Sequence, residues 1–149
     1  MTSAASFSIA SIGESSAASE PAEPLESSGW LTPLTLASLS LFRRHFESAA
    51  IPLSDYSFAN NIAWQSRQRY LHATIGGCLC LFALRDGALS MPLPPLGPPE
   101  RAALAIDECV EWMERHNGGS RAWEIRCVHE GLVEELLRAG EPLRPRAIV

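Results

Sequence analysis

Two turn signals set ten residues apart constrain this chain more than any other feature. Gly76-Gly77 and Asp86-Gly87 each sit between apolar runs, and each is a pair that accepts the positive φ of a tight hairpin. They divide the chain into Tyr70–Ile75, Cys78–Leu84 and Ala88–Met91, a three-strand antiparallel meander. The middle run is apolar at every position. A strand of that kind is covered on both faces, whereas a one-sided strand alternates. The meander therefore implies helices above and below the sheet, and an α/β (α+β) fold class.

The flanking sequence supplies those helices. Thr35 reads as the N-cap of a helix over about 36–48, with Leu39, Phe42 and Phe46 on its buried side. Trp30 to Leu34 before it reads as a short first strand. Ser54 reads as the cap of a second helix, with Asp55 in its first turn. Glu100 to His116 is strongly amphipathic, with Ala102, Ala103, Ile106, Cys109, Val110 and Met113 inward, and Asn117-Gly118-Gly119 ends it. Ala122–Val128 alternates, Trp123, Ile125 and Cys127 against Glu124 and Arg126, and reads as a strand. A last helix over 130–139 turns Leu132, Val133, Leu136 and Leu137 inward, with Glu134 and Arg138 paired at i, i+4 and Gly140 as its stop.

Residues 1–29 are rich in Ser, Ala, Glu and Gly with few large apolar side chains. Such a segment buries too little surface to offset its ordering entropy, and it reads as a disordered tail. Folded structure is expected over 30–140, with 141–149 an irregular Pro/Arg tail. A chain of 149 residues fits one domain. The net charge is −5, most of it from the four Glu of residues 1–29, so the folded part is close to neutral. Nothing resembles the basic block that DNA binding requires. No apolar run approaches the length of a transmembrane helix, and no basic region precedes an apolar one as in a secretory signal. All 12 basic residues are Arg, which removes lysine-based Schiff-base and P-loop chemistry. Cys78, Cys80, Cys109 and Cys127 lack metal-knuckle spacing and read as buried free thiols in a reducing cytoplasm.

One stretch carries candidate site residues. On the helix after Ser54, Phe58, Ala59, Ile62 and Ala63 form an apolar face. Ser57, Asn60, Asn61 and Trp64 form a second stripe at i, i+3, i+4 and i+7, and Arg67 follows at the exit. Amides and an indole N–H either satisfy neighbouring backbone or face a ligand. Both readings stay open for Asn60, Asn61, Trp64 and Arg67.

Leu53-Ser54-x-Tyr56-Ser57-Phe58-Ala59-Asn60 with Trp64 after it, Met91-Pro92-Leu93-Pro94-Pro95 after the meander, and Asn117-Gly118-Gly119 resemble a bacterial family related to the C-terminal region of phosphatidylglycerol lysyltransferases. The resemblance spans about Trp30 to Pro145. It implies a GNAT-like mixed sheet flanked by helices, ending before the last two strands of that fold: the first of two tandem GNAT-like halves. The related enzymes move an aminoacyl group from charged tRNA to a lipid hydroxyl. The family's arginine- and lysine-rich motif belongs to the second half, so no catalytic residue is carried over. The chain is expected to be a truncated or frameshifted copy, inactive alone and partnered by a second half or by a copy of itself. No cofactor and no metal are implied.

Two other classes compete. A scaffold or dimerisation module is favoured if the 122–128 strand lacks a neighbour, since an open edge invites another chain. An acyl-CoA N-acyltransferase needs free backbone N–H groups at the strand-to-helix loop. Here that loop is Pro92–Pro99, which removes many of them, though Gly97 and the following helix N-terminus remain. A hydrolase is disfavoured: no Gly-x-Ser-x-Gly elbow is present, and His45, His72, His116 and His129 are scattered.

Overall fold

A computed structural model describes residues 7–11, as backbone, and 31–51, 54–118 and 123–138. Trp30, Leu53, Gly140 and the 141–149 tail lie outside the described residues. The elements in order are β1 (Phe7–Ser11), β2 (Thr32–Pro33), a 3-10 turn at Leu36–Ser38, α1 (Leu39–Ala49), α2 (Phe58–Trp64), β3 (Arg69–Ile75), β4 (Cys78–Arg85), β5 (Ala88–Ser90), α3 (Pro99–His116), β6 (Trp123–Val128) and α4 (Glu130–Arg138).

The meander forms where the turns place it. β3 and β4 pair antiparallel from Arg69 opposite Leu84 to Ile75 opposite Cys78. Gly76, Gly77, Asp86 and Gly87 all take positive φ, as two-residue hairpins with the right-handed strand twist demand. With β2 and β5 outside them, the sheet order is β2-β3-β4-β5, antiparallel throughout.

β4 is buried on both faces, and its parity divides the core. Cys78, Cys80 and Phe82 join the cluster built with α3, α4 and β6, where Phe82 stacks on Trp112 at 6.1 Å. Leu79, Leu81 and Ala83 join the cluster built with Phe42 of α1, Phe58 of α2 and Tyr56. The result is helix on sheet on helix, with the central strand insulated from water on either side.

At Met91 the chain leaves the edge of β4 and changes partner. Met91 N–H donates to the Glu124 carbonyl (2.8 Å) and Arg126 N–H donates to the Met91 carbonyl (2.9 Å), which makes Met91 a parallel neighbour of Ile125. Five residues later Leu96 returns to pair with Leu79 on the same edge of β4. Gly97 is needed there by space: a Cβ on it would lie 2.6 Å from Cys78 Sγ.

Several expectations are corrected. Phe7–Ser11 lies within the span read as a disordered tail, yet it forms β1, antiparallel to β6. Composition understated it because the enthalpy of ordering these five residues comes from an unpaired edge far along the chain. By the same pairing, β6 has a neighbour on each side, so the unpaired 122–128 strand that would have favoured a scaffold or dimerisation module is not found. The alternation of β6 breaks at Cys127, whose φ is 52° at a register shift; Val128, not Cys127, is fully buried. α2 starts one turn later than Ser54, for a reason given below. In α4, Leu137 is exposed and Arg138 pairs with Glu135 rather than Glu134.

Asn117 does more than end α3. Its Oδ1 accepts from Leu89 N–H (2.8 Å) and its Nδ2 donates to the Leu89 carbonyl (3.0 Å), so the amide serves β5 as a one-residue strand. Asn117→Ala strands both groups and is expected to cost about 1–3 kcal/mol, read from denaturant unfolding. A loss below about 0.5 kcal/mol would mean that water replaces the clamp freely.

Candidate functional site

The candidate site is built around the turn that enters α2. Tyr56 is buried and its hydroxyl donates to the Cys127 carbonyl (3.0 Å), pinning the loop to the bulge of β6. Burial, with Cys127 and Asp55 adding to it, pushes the Tyr56 phenol far above its ordinary range. It therefore keeps its proton and the bond it donates. Asn61, also buried, donates through Nδ2 to the carbonyls of Asp55 (2.9 Å) and Ser57 (2.8 Å). These bonds hold residues 55–57 in a turn, which is why the helix begins at Phe58 and Ser57 occupies the position before it.

The four residues singled out by the sequence thus divide. Asn61 is a structural lock. Asn60 is half-buried, Trp64 is 45 % exposed and Arg67 is exposed, with its guanidinium 5.4 Å from the Trp64 ring centroid. All four line one cavity of about 550 Å³ between α2 and the ends of β3, β4 and β6. The other walls come from residues no pattern marked: Tyr70 on β3, Arg85 at the end of β4, Pro92 after the partner change, and Arg126 with Cys127 on β6. Asp55 is its single carboxylate.

The cavity is therefore lined by guanidiniums from three separate elements. Arg85 and Arg126 also meet carboxylates outside it, Asp86 at 3.5 Å and Glu124 at 2.7 Å, in solvent-exposed pairs of the kind worth about 0–1 kcal/mol. An incoming anion displaces such pairs at small cost. Burial raises the Tyr70 phenol, while the hydrogen bond from Gln68 Nε2 (2.6 Å) opposes the rise. No histidine lines the cavity. The arrangement suits recognition of negative charge and a flat or apolar group.

Other candidates resolve into structure. Cys78, Cys80 and Cys109 are fully buried free thiols, with Cys109 Sγ 3.6 Å from Cys80 Sγ, whereas Cys127 is only partly buried. The bond to Cys80 together with burial drives the Cys109 thiol far up, which keeps it inert. No group of three or more His, Cys, Asp or Glu among the described residues is placed to hold a metal ion. No helix among them is long and apolar enough to cross a membrane. Ser38 and His72 are both buried and meet at 3.0 Å from Oγ to Nε2, with Phe42 edge-on to the imidazole. Ser38 Oγ also accepts from Thr35 N–H (3.3 Å), so the hydroxyl is engaged on two sides. A closed pair of this kind ties α1 to β3 and offers no path to a substrate.

An apolar hollow of about 600 Å³ lies between α1 and α2, bordered by Leu39, Phe46, Phe58 and Ile62 with Arg43 and Glu47 at its rim.

Asn61→Ala is expected to lower stability by about 1–3 kcal/mol, because the Asp55 carbonyl loses the Asn61 amide and the Ser57 carbonyl keeps only the Asn61 backbone N–H. Asn60→Ala and Trp64→Ala should stay within about 0.5 kcal/mol if they face the cavity; thermal melts of the three variants separate lock from lining. Burial lowers the proton affinities of His72 and His129 from the ordinary value of 6.5. The unfolded chain then binds the more protons below that value, so stability is complete above about pH 7 and declines as pH falls through 6.5. Melting temperature measured from pH 8 to pH 5 should drop, and His72→Gln should remove part of the slope; a flat profile would refute a neutral buried His72. Comparisons with protein-family models, with curated proteins and with solved structures find no match to this chain.

Proposed function

We propose that this chain is the ligand-recognition half of a GNAT-like protein related to the phosphatidylglycerol lysyltransferases, acting with a second lobe that supplies the transfer chemistry. The observation that carries this reading is the arginine-lined cavity where the chain leaves β4 for β6, lined by Asn60, Asn61, Trp64 and Arg67 together. Ligand sites favour places where a sheet changes neighbours, because side chains from separate strands converge there. The order β2, α1, α2, three-strand meander, α3, β6, α4 follows the element order that the motifs led us to expect, and this supports the GNAT-like part of the reading.

An acyl-CoA N-acyltransferase is the weaker reading. In the loop before α3, Leu96 N–H is committed to the Leu79 carbonyl, and Pro98 and Pro99 have no N–H to offer. Gly97 is accounted for by its contact with Cys78, and Glu100 places a negative charge in the first helical turn. A pyrophosphate finds few donors there and one repulsive neighbour.

The test is aminoacyl transfer with charged tRNA as donor and phosphatidylglycerol vesicles as acceptor. The chain alone should give no product. Product formed by the chain alone would overturn the two-lobe reading. Calorimetry with acetyl-CoA should show no binding at micromolar concentrations; saturable micromolar binding would restore the acyl-CoA reading.

A further inference from the structure

We infer that the cavity takes a nucleoside monophosphate: a phosphate held by Arg67, Arg85 and Arg126, and a base laid against Trp64 within reach of the Asn60 amide. The inference rests on reading the cavity as a ligand site and adds the class of ligand. Three features carry it. The first is charge. Three arginines, Arg67, Arg85 and Arg126, and one acidic residue, Asp55, are among the residues that line it. A planar guanidinium fork matches phosphate oxygens in pairs, and a phosphate dianion uses more such donors than a carboxylate does. The second is the exposed aromatic. Trp64 is 45 % exposed, whereas Phe42, Tyr56, Phe58, Tyr70, Phe82 and Trp112 are buried, and Arg67 already rests over its indole. An indole face next to a cation is a stacking platform for a base, and stacking on such a ring favours any base over none. The third is the amide. Asn60 stands half-buried one helical turn before Trp64, and an asparagine amide pairs with the edge of a purine through one donor and one acceptor. A volume of about 550 Å³ lies within the range of small-molecule sites.

The full chain is titrated by calorimetry with adenosine 5′-monophosphate, adenosine, inorganic phosphate and benzoate, and the Trp64 indole N–H resonance is followed in parallel. Adenosine monophosphate is expected to bind at least about tenfold tighter than adenosine or phosphate, a gap of about 1.4 kcal/mol, and to shift that resonance. Arg67→Gln should weaken the nucleotide about tenfold and leave adenosine unchanged. Trp64→Ala should weaken nucleotide and adenosine alike and leave phosphate unchanged. Phosphate or benzoate matching the nucleotide, or a Trp64→Ala variant that binds it normally, would overturn the nucleotide assignment and leave the cavity as a site for a simpler anion. Silence of the indole resonance with all four probes would overturn the cavity reading as well.

Discussion

The burial of β4 on both faces is the constraint on which the remaining architecture depends. Six consecutive apolar residues from Cys78 to Ala83 leave no face for water. The chain must therefore provide two helical layers, and it does so with small residues on one side and rings on the other. Ala102, Ala105, Ile106 and Cys109 let α3 approach the even positions closely. Phe42, Phe58 and Tyr56 fill the wider gap above the odd ones. The backbone groups at the free edge of β4 are shared out in turn, to β5, then to Leu96, while Asn117 closes the outer side of β5. Polar satisfaction extends to the side chains: no buried side-chain nitrogen or oxygen among the described residues lacks a partner.

The excursion from Met91 to Leu96 is what converts this packing into a site. Within six residues the strand gives β6 a parallel contact and returns to β4. The proline-rich sequence suits the detour, because prolines lose no ladder hydrogen bond while the chain is between partners. The detour brings the ends of β4 and β6 near α2, and with them Arg85 and Arg126 come to share a cavity with Arg67. Tyr56 then ties the α2 entrance to Cys127, so the lining on the helix side and the lining on the strand side are held by one hydrogen bond.

Much of the fold was legible because it depends on local chemistry. The glycine turns, the double-sided apolar run, and the stripe of α3 each state their structure within a dozen residues. The features that stayed hidden depend on distant partners. Phe7–Ser11 becomes a strand only because β6 presents an edge to it. The start of α2 is set by Asn61 reaching back to Asp55, which competes with the capping that Ser54 and Asp55 advertise. The left-handed Cys127 follows from a register shift against β1 and from no property of cysteine. For the site, the helical stripe marked Asn60, Asn61 and Trp64 on one wall, while its Ser57 borders the apolar hollow instead and Asp55 and Gln68 went unmarked. Arg85 and Arg126 carried no signal, since an arginine at a strand end is usually solvated, and only the partner change at Met91 explains their company.

The pairing of β1 with β6 has a consequence for how the protein is made. Ile9 stands opposite Ile125, so β1 must wait for a strand made much later in the chain. During synthesis the strands of the meander find one another early, whereas the face they share with α3 is completed only when β6 and α4 arrive, and the β1–β6 pair closes over a long loop. Until then an aliphatic N-terminal segment travels unpaired, available to chaperones and to other nascent chains. β1 is thus a structural participant with a delayed appointment, and a substitution there acts on the seam with β6 that closes late.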